Sequence, residues 1–559
     1  MRNFTTRLLE LEASYADQVI LHLLKTGDED FHLTYAQLMC EARKVAMELA
    51  EQGIQPGEVV ILILQQGLDL IYAYFGAILN GSIPSIMPFL TEKLLPEKYR
   101  KDLESLFEIT HPCAVITYQD FSNELELIRT GSKYIRSIIY IEGMNKSRES
   151  IFSNDLPGVA RGEEEIALLQ HSSGSTGLQK GVALSHRAIF NQLDSYLEAM
   201  RVTDRDVIVS WLPLYHDMGL IACFLMPILY NIPLVLMSPF DWVKAPYRLF
   251  KAISSYKGTL CWLPNFAYNF CAQKVREDDL QGVDLSTLRA VVNCSEPMRY
   301  HSHMLFLDRF KGYGLQASAL TTCYAMAENV FAVSQGGVDK PVAYDEIDLE
   351  KFQRDGYAVQ AAQGKKTVLM VSAGRPITNT FVKIIDTEAR ELPDRHLGEI
   401  AIKSDCMLSE YYHRSDATQS ALIDGWFKTG DLGYLANGEV FISGRKKDLI
   451  IVGGKNVYPQ DVEFAVNTVE GIRPGRVVAF GVFNEDKGTE DVVVVAEIET
   501  GYDDRMREVA EDVRKTVNQS TAVALRHVHL VDKIWLIKTS SGKIARSANK
   551  DKYLAEFVR

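Results

Sequence analysis

The sequence lacks the features of a secreted, disulfide-linked protein and of a nucleic-acid-binding protein. Its eight cysteines form no CxxC pair, and the N-terminal MRNFTTRLLELEASYADQ has no long apolar run of the signal-peptide kind. These absences predict a reducing, cytoplasmic location in which the cysteines serve as small buried apolar residues. The formal net charge of −13 argues against a nucleic-acid partner, which usually binds a basic surface.

The chain also lacks an uninterrupted apolar run of comfortable membrane-spanning length. Its most apolar stretch, IACFLMPILYNIPLVLM at 221–237, is interrupted by Pro227, by Pro233 and by the Tyr230-Asn231 pair. A span needs about 20 predominantly apolar residues. The stretch therefore predicts a buried helix, a turn and a buried strand, with no membrane span.

What the sequence does contain is a repeated alternation of apolar strands and amphipathic helices. Strand-like runs include VVILIL at 59–64, AVIT at 114–117, VIVSWL at 207–212 and AVVN at 290–293. This alternation predicts an α/β architecture with parallel sheets. After about residue 380 the strands become short and are separated by turns, which indicates a smaller β-rich subdomain.

The length of 559 residues predicts at least two domains. A region of distinct pattern follows the basic segment GRKKD at 444–448, with a strand at 492–499, a helix at 506–518 and a strand after it. We place the boundary near Gly444, giving domains 1–443 and 444–559. The segment 338–366 is polar and weakly periodic, so it predicts an insertion or long loop, and its length favours a solvated loop.

The stretch HSSGSTGLQKG at 171–181 admits two interpretations, a flexible linker or an anion-binding loop. It is not a P-loop, because that motif needs a glycine directly before the lysine and a serine or threonine directly after it. Here Gln179 precedes Lys180 and Gly181 follows it. Apolar elements directly flank the stretch, which weakens the linker interpretation. Glycines permit close approach of backbone N–H groups to an anion, and the hydroxyl groups and Lys180 add donors and charge. The residues therefore favour phosphate binding.

Six further motifs accompany this loop in a fixed order. They are WLPLYHDMGL at 211–220, NCSEP at 293–297, CYAMAEN at 323–329, WFKTGDLGYL at 426–435, ISGRKKDLIIVGGKNVYPQDVE at 442–463 and KTSSGKIAR at 538–546. With the loop, this set resembles the adenylate-forming superfamily of acyl-activating enzymes, over about residues 30 to 550. Within that superfamily the chain looks most like the fatty acyl-AMP ligases, because of the MAEN motif and the position of segment 338–366.

The resemblance implies a multidomain α/β fold, with a large N-terminal domain of two α/β subdomains plus a β subdomain, and a small mobile α+β C-terminal domain. It implies an enzyme that uses ATP and Mg²⁺ to convert a fatty acid into an acyl-adenylate, with release of pyrophosphate. The acyl group then passes to the phosphopantetheine of an acyl carrier protein, or of a carrier domain in a polyketide or nonribosomal peptide synthase. In that family the insertion hinders the domain rearrangement needed for reaction with coenzyme A.

Three alternatives stay open at this point. A fatty acyl-CoA synthetase differs only in the final acceptor, whereas a luciferase-like oxidative enzyme would consume oxygen. A non-catalytic nucleotide-binding module would have no need of the complete motif set.

The resemblance also assigns roles to individual residues. Lys543 would bridge the acyl carboxylate and the α-phosphate, His216 would lie near the carboxylate or gate the acyl channel, and Lys447 would act as the hinge. Glu328 would hold Mg²⁺. The predicted ATP- and AMP-binding residues are Ser172, Ser173, Gly174, Ser175, Thr176, Gly177, Lys180, Ser295, Glu296, Cys323, Tyr324, Ala327, Asp431 and Arg445.

Three of these assignments have a simpler alternative interpretation. Lys180 could be an exposed loop lysine, Arg445 a solvated member of a basic run, and His216 a structural histidine. Among the nucleotide-binding set, Asp431 would accept the ribose hydroxyls and Tyr324 would offer its ring to adenine.

Overall fold

The protein is described by a computed structural model covering residues 2–27, 29–89, 96–129, 133–144, 156–172, 180–485, 487–521, 523, 525–539 and 542–558. The first part of the chain alternates strands and helices. Its elements are α1 (Phe4–Tyr15), β1 (Val19–Leu24), β2 (Phe31–Thr34), α2 (Tyr35–Glu51), β3 (Val59–Ile63), α3 (Leu68–Leu79), β4 (Ile83–Ile86), α4 (Pro96–Thr110), β5 (Ala114–Thr117), α5 (Ser122–Arg129), β6 (Ser137–Tyr140), β7 (Ile166–Ser172), β8 (Lys180–Ser185) and α6 (His186–Met200).

The alternation continues through the second part of the chain. It comprises β9 (Ile208–Ser210), a π-helix (Met218–Leu225), α7 (Met226–Tyr230), β10 (Leu234–Met237), α8 (Pro239–Lys244), α9 (Tyr247–Tyr256), β11 (Leu260–Leu263), α10 (Asn265–Lys274), β12 (Ala290–Asn293), α11 (Tyr300–Phe310), β13 (Leu320–Ala325) and β14 (Ala332–Gln335). The predicted helix, turn and strand at 221–237 are therefore confirmed. No helix in the described part of the chain is both long and apolar enough to cross a membrane.

Short strands dominate the third part. Its elements are β15 (Tyr344–Asp348), α12 (Leu349–Asp355), β16 (Thr367–Val371), β17 (Arg375–Pro376), β18 (Thr380–Ile385), β19 (Gly398–Ser404), β20 (Glu410–Tyr411), α13 (Ser415–Ala421), β21 (Leu422–Ile423), β22 (Trp426–Ala436) and β23 (Glu439–Arg445).

The last part follows the basic segment. It contains β24 (Ile450–Val452), β25 (Lys455–Val457), α14 (Pro459–Val466), β26 (Ile472–Asn484), β27 (Thr489–Ile498), α15 (Met506–Thr521), β28 (His527–Val531) and α16 (Arg546–Phe557). Residues between Ile450 and Leu525 bury one another in a cluster of their own, apart from the main core that ends at Val440. The boundary near Gly444 falls between these two cores, and the division into domains stays a prediction.

Two largely parallel sheets form the framework in the described residues. One has the strand order β17-β14-β13-β12-β11-β9-β10-β1-β2 and the other the order β20-β8-β7-β4-β3-β5-β6. Their central strands are fully buried, as Val59–Ile63 and Leu260–Leu263 illustrate, because helices cover both faces. A third, antiparallel sheet contains β18, β19, β22 and β21, with β23 paired to β22. The predicted α/β fold with an added β subdomain is confirmed.

The segment 338–366 differs from the solvated loop that its length favours. It contains β15 and α12, and β15 pairs antiparallel with β16. Phe352 is 2% exposed and its ring packs against those of Tyr434 and Tyr458. The solvated-loop prediction is wrong because three apolar residues of the segment, Ile347, Phe352 and Ala358, are placed in one buried cluster.

Replacing Phe352 by alanine should lower the free energy of unfolding by about 3–5 kcal/mol, since it removes a large buried ring from this cluster. Urea unfolding followed by circular dichroism measures the loss. The matched control is Phe381→Ala, because Phe381 is 64% exposed and its loss should cost little. Equal stability of the two variants would show that the segment does not pack as described.

Candidate active site

The predicted phosphate loop is the connection of a β-hairpin. β7 and β8 pair antiparallel, with Ser172 opposite Lys180 at the end of the ladder. Behind that end, the Ser85 hydroxyl lies 2.5 Å from His171 Nε2, and burial lowers the pKa of His171 to about 4. The neutral imidazole therefore joins the end of β7 to the neighbouring strand β4 through this contact with Ser85. Part of the predicted phosphate loop lies outside the described residues: Ser173, Gly174, Ser175, Thr176 and Gly177, together with the side chain of Ser172.

Lys180 and Glu328 meet at Tyr411. The Lys180 ammonium lies over the Tyr411 ring, 4.3 Å from its centre, and the Tyr411 hydroxyl donates a 2.8 Å hydrogen bond to Glu328 Oε1. A cation against an aromatic face is held by the ring quadrupole. One tyrosine therefore contacts a predicted phosphate ligand through its ring face and a predicted metal ligand through its hydroxyl. Lys180 is thereby ordered by a specific contact, which the exposed-lysine interpretation does not require.

Asp431 lies at the centre of a second group. Its carboxylate accepts a 2.6 Å hydrogen bond from the Tyr324 hydroxyl at Oδ2 and pairs at Oδ1 with Arg445 Nε, 3.0 Å away. Strands β22 and β23 form a hairpin in which Asp431 and Arg445 are direct register partners. Their spacing in the sequence is thus explained by the hairpin. Burial and the nearby Asp431 carboxylate raise the pKa of Tyr324 well above its usual value, so the hydroxyl stays a donor.

The MAEN motif ends in a strained turn. Val330 follows Asn329 and has φ 62° and ψ −54°, and the Phe331 N–H donates to the Asn329 carbonyl at 2.6 Å. This is a γ-turn with positive φ, an uncommon and costly conformation for a β-branched residue. Val330 is fully buried, and the surrounding packing maintains the turn. Such strain is typical of functional sites, and this turn lies two residues after Glu328.

The remaining nucleotide-site predictions fall along the carboxyl ends of β12 and β13. Ser295 has φ 69°, and its hydroxyl contacts Cys294 Sγ at 3.6 Å. Cys323 and Ala327 are 1% and 7% exposed. Both side chains are small and buried, and their contribution to a nucleotide pocket stays a prediction.

Lys543 reaches this site from the C-terminal part of the chain. Its Nζ donates a 2.8 Å hydrogen bond to the Ser295 carbonyl, across a separation of 248 residues. The Thr539 N–H donates a 2.8 Å hydrogen bond to the Lys543 carbonyl. Burial raises the pKa of Glu296, and Lys543 opposes that rise. The structure therefore brings Lys543 beside Ser295 and Glu296, and the catalytic role of Lys543 stays a prediction.

His216 lies close enough to Lys543 for their charges to interact. Burial and the Lys543 ammonium lower the pKa of His216 to about 3, so the imidazole is neutral near pH 7. Its Nε2 is buried without a hydrogen-bond partner among the described residues. A buried, unpartnered ring nitrogen suits a ligand contact better than a purely structural role. As a neutral group, His216 can donate or accept a hydrogen bond but supplies no positive charge.

Lys447 is exposed on the segment between the two cores. Partial desolvation and the neighbouring Arg445 guanidinium lower its pKa, with a smaller contribution from Lys180. Three cations, Arg445, Lys447 and Lys180, therefore converge near the end of the phosphate-loop hairpin. The hinge role of Lys447 stays a prediction.

The chemistry of Glu328 fits a magnesium ion. Mg²⁺ commonly uses one or two carboxylates and completes its shell with phosphate oxygens and water. Tyr411 engages only one Glu328 oxygen, and burial raises the pKa of that carboxyl, so a divalent cation would compensate the cost of its charge. Among the described residues no group of three or more His, Cys, Asp or Glu side chains could hold a metal ion. A magnesium ion held by this single carboxylate would therefore need the nucleotide phosphates as co-ligands.

Some site residues were not found from the sequence. Tyr411, in the unremarked stretch SEYYHR, connects Lys180 and Glu328. Asp217, by contrast, belongs to the motif at 211–220, and it caps the π-helix by accepting a 2.8 Å hydrogen bond from the Met218 N–H. Phe266 donates its backbone N–H to Glu296 Oε2 at 2.9 Å. No motif marks Tyr411 or Phe266, because each acts through a contact between distant parts of the chain.

Removing the Tyr324 hydroxyl should weaken nucleotide binding. Tyr324→Phe leaves Asp431 held only by Arg445 and removes a hydrogen bond to a charged group, worth about 1.5–3 kcal/mol. We expect the KM for ATP to rise by about tenfold or more, because each 1.4 kcal/mol is a tenfold effect. Tyr344→Phe, at an exposed tyrosine, is the control. An unchanged KM for ATP in Tyr324→Phe would separate Asp431 from the nucleotide site.

Comparison with known proteins agrees with the fold and the motifs. An acyl-carrier-protein ligase for medium-chain fatty acids from Moorena producens, JamA, is 31% identical over 95% of this chain and 91% of its own length. A Caulobacter vibrioides protein described provisionally as an acyl-CoA synthetase is 30% identical over 98% of this chain and 95% of its own. The fatty acyl-adenylate ligase of L. pneumophila, solved with acyl adenylate and pyrophosphate, matches with a TM-score of 0.74 and 27% identity, over 99% of this chain and 96% of that one.

The family model of AMP-binding enzymes matches residues 11–412. The resemblance to fatty acyl-AMP ligases indicated by the seven motifs is confirmed by these likenesses. The chain belongs to the AMP-binding enzyme family of ATP-dependent, adenylate-forming ligases.

Proposed function

We propose that this protein activates a fatty acid with ATP to form acyl-AMP and pyrophosphate, and then transfers the acyl group to the phosphopantetheine thiol of a carrier protein. The observation that carries the proposal is the hydrogen bond of Lys543 to Ser295, which follows β12. The neighbouring strand β13 carries Tyr324, which is linked to Asp431 and Arg445; we call these three residues the nucleotide group. Lys543 would supply a cation where a carboxylate and an α-phosphate would meet. The named activities of the Moorena and Legionella relatives support the same reaction.

The chemistry explains why such a site needs cations. A fatty carboxylate oxygen attacks the α-phosphorus of ATP, a new oxygen–phosphorus bond forms, and the bond to the leaving pyrophosphate breaks. Two anions approach one another in this step, so positive charge must be strongest where the transition state accumulates negative charge. Lys543 would serve both the carboxylate and the α-phosphate as a compact cation on a flexible stem.

The other residues would orient the nucleotide. The hairpin loop with Lys180 would hold the pyrophosphate portion, and Asp431 would accept the ribose hydroxyls between its existing contacts to Tyr324 and Arg445. The ring of Tyr324 would also form one side of the adenine pocket. A bound Mg²⁺, held by Glu328 and phosphate oxygens, would neutralise phosphate charge. His216, being neutral, would contact the acyl carboxylate or the channel entrance by hydrogen bonding.

The second step concerns the acceptor, for which coenzyme A is the alternative to a carrier protein. The insertion contacts the C-terminal domain in the arrangement described: Gln353 Nε2 donates to the Thr521 carbonyl at 3.3 Å, and Lys366 Nζ to the Gln519 carbonyl at 3.1 Å. Phe352 also packs on Tyr458. These contacts support our proposal that residues 444–559 move about a hinge near Lys447 and that the insertion opposes the position needed for coenzyme A.

Lys543→Ala should abolish acyl-AMP formation while ATP binding largely survives, because the cation is removed from the reacting centre and the nucleotide contacts stay. Fatty-acid-dependent pyrophosphate release and equilibrium ATP binding are measured on the same preparation. The control is Lys533→Ala, at an exposed lysine of the same domain. Pyrophosphate release by Lys543→Ala at the rate of the unaltered protein would contradict the assignment.

Weakening the insertion contacts should admit coenzyme A. The double variant Gln353→Ala/Lys366→Ala removes both hydrogen bonds to the C-terminal domain without touching the nucleotide group. We expect adenylation to continue and some acyl-CoA to appear, detected by mass spectrometry with fatty acid, ATP, Mg²⁺ and CoA. Lys365→Ala, at the exposed neighbouring lysine, should give none. Efficient acyl-CoA synthesis by the unaltered protein would favour the acyl-CoA synthetase alternative.

A further inference from the structure

An ion pair outside the nucleotide group also joins the N-terminal part of the chain to residues 444–559. Arg299 Nη1 lies 2.7 Å from Asp461 Oδ1, and the Arg299 guanidinium lies over the Phe464 ring, 5.4 Å from its centre. Arg299 lies between β12 and α11, whereas Asp461 and Phe464 belong to α14. The two α14 residues are three positions apart and share one face of the helix, so a single guanidinium contacts both.

The backbone that carries Arg299 is held by a buried side chain of α10. The Arg299 N–H donates a 3.2 Å hydrogen bond to Asn265 Oδ1, and the same oxygen accepts one from Asn293 Nδ2 at 3.0 Å. Asn265 Nδ2 donates in turn to the Ser302 hydroxyl at 3.2 Å. These asparagine and serine side chains are buried, where a broken hydrogen bond is costly. Ser295 lies between Asn293 and Arg299, so its carbonyl and the Arg299 side chain belong to one fixed segment.

The helix that carries Asp461 is itself joined to the segment of Lys543. Glu463, two residues after Asp461, accepts hydrogen bonds from Arg546 Nη2 at its two oxygens, at 2.8 and 2.9 Å. Arg546 lies three residues after Lys543 and also binds Asp448 Oδ2 at 2.5 Å. Charge-assisted hydrogen bonds of this kind are strong. A displacement of α14 therefore carries the Lys543 segment with it.

The two contacts form a two-point attachment between the parts of the chain. Ser295 and Arg299 lie on one fixed segment, and their respective partners, Lys543 and Asp461, lie in one packed unit. A lysine on a long flexible stem would have many other positions if it alone joined the two parts. The second contact removes much of that freedom, and such orientation of a reacting group contributes to catalysis.

The surroundings of the ion pair distinguish it from an ordinary surface pair. Exposed pairs contribute little, because solvent screens the charges and ordering two side chains costs entropy. The Arg299 and Asp461 side chains are only 20% and 26% exposed, and the Phe464 ring holds the guanidinium from a second direction. His301 adds an edge-on ring contact to Phe464, with ring centres 6.1 Å apart. The pair is thus part of a small packed interface.

We propose that Arg299 is a positioning residue for adenylation. Through Asp461 and Phe464 it holds residues 444–559 in the arrangement in which Lys543 reaches Ser295. This rests on the proposed function, since it names what keeps the cation of that function in place. Loss of the contact lowers the fraction of molecules in this arrangement and so lowers kcat, whereas the nucleotide group keeps its affinity for ATP.

The main test reverses the two charges in the full-length protein, singly and together. Arg299→Glu should lower kcat for fatty-acid-dependent pyrophosphate release about tenfold, because attraction becomes repulsion. Asp461→Arg should do the same, and equilibrium ATP binding should be unchanged in both. The double variant Arg299→Glu/Asp461→Arg restores the attraction and should recover most of kcat. Arg276→Glu is the control, since that side chain is 80% exposed and pairs with Asp279 nearby.

A milder variant keeps the test decisive if a reversed charge prevents folding. Asp461→Asn retains the shape of the side chain without its charge and should lower kcat about threefold. An unchanged kcat in Asp461→Asn, or a loss in Arg299→Glu that the double variant fails to relieve, would overturn the positioning role. Failure of the unaltered protein to release pyrophosphate with any fatty acid would instead contradict the proposed function itself.

Discussion

The hydrogen bond from Lys543 Nζ to the Ser295 carbonyl is the contact on which the active arrangement depends. It joins the two separately packed cores at the point where a carboxylate and a phosphate would meet. Without it the nucleotide group of Tyr324, Asp431 and Arg445 would bind ATP but offer no cation to the attacking oxygen. The rest of the structure positions this contact: the carboxyl edge of the nine-stranded sheet supplies Ser295, and the C-terminal part of the chain supplies Lys543.

Charge distribution around that contact separates the tasks of the site. Lys180, Lys447 and Arg445 gather near the hairpin loop, where a pyrophosphate would leave. Glu328, Glu296 and Asp217 are partly buried, and desolvation raises the pKa of each carboxyl, so each favours a nearby cation. His216 stays neutral because burial and Lys543 both oppose its protonation. Under the proposed function, this distribution would place cations at the phosphates and an uncharged donor or acceptor near the acyl group.

Much of the framework could be predicted from the sequence because local patterns determine it. Continuous apolar runs mark the buried strands, and helical spacing of apolar residues marks α2 and α15. The pairing of Asp431 with Arg445 could be predicted only as a shared role, since their contact depends on the register of β22 and β23. The insertion was mispredicted as a solvated loop because Ile347, Phe352 and Ala358 are buried by partners outside the segment, Tyr434 and Tyr458 among them. Tyr411 was missed for the same reason: its role arises from contacts with Lys180 and Glu328, which no local pattern encodes.

The central claim is that a fatty carboxylate attacks the α-phosphate of ATP in this site. Exchange of labelled pyrophosphate into ATP measures that step directly, because exchange requires reversible formation of the acyl-adenylate. The account predicts that exchange depends on an added fatty acid and needs neither coenzyme A nor a carrier protein. Absence of exchange with every fatty acid, or exchange at the same rate without one, would contradict it.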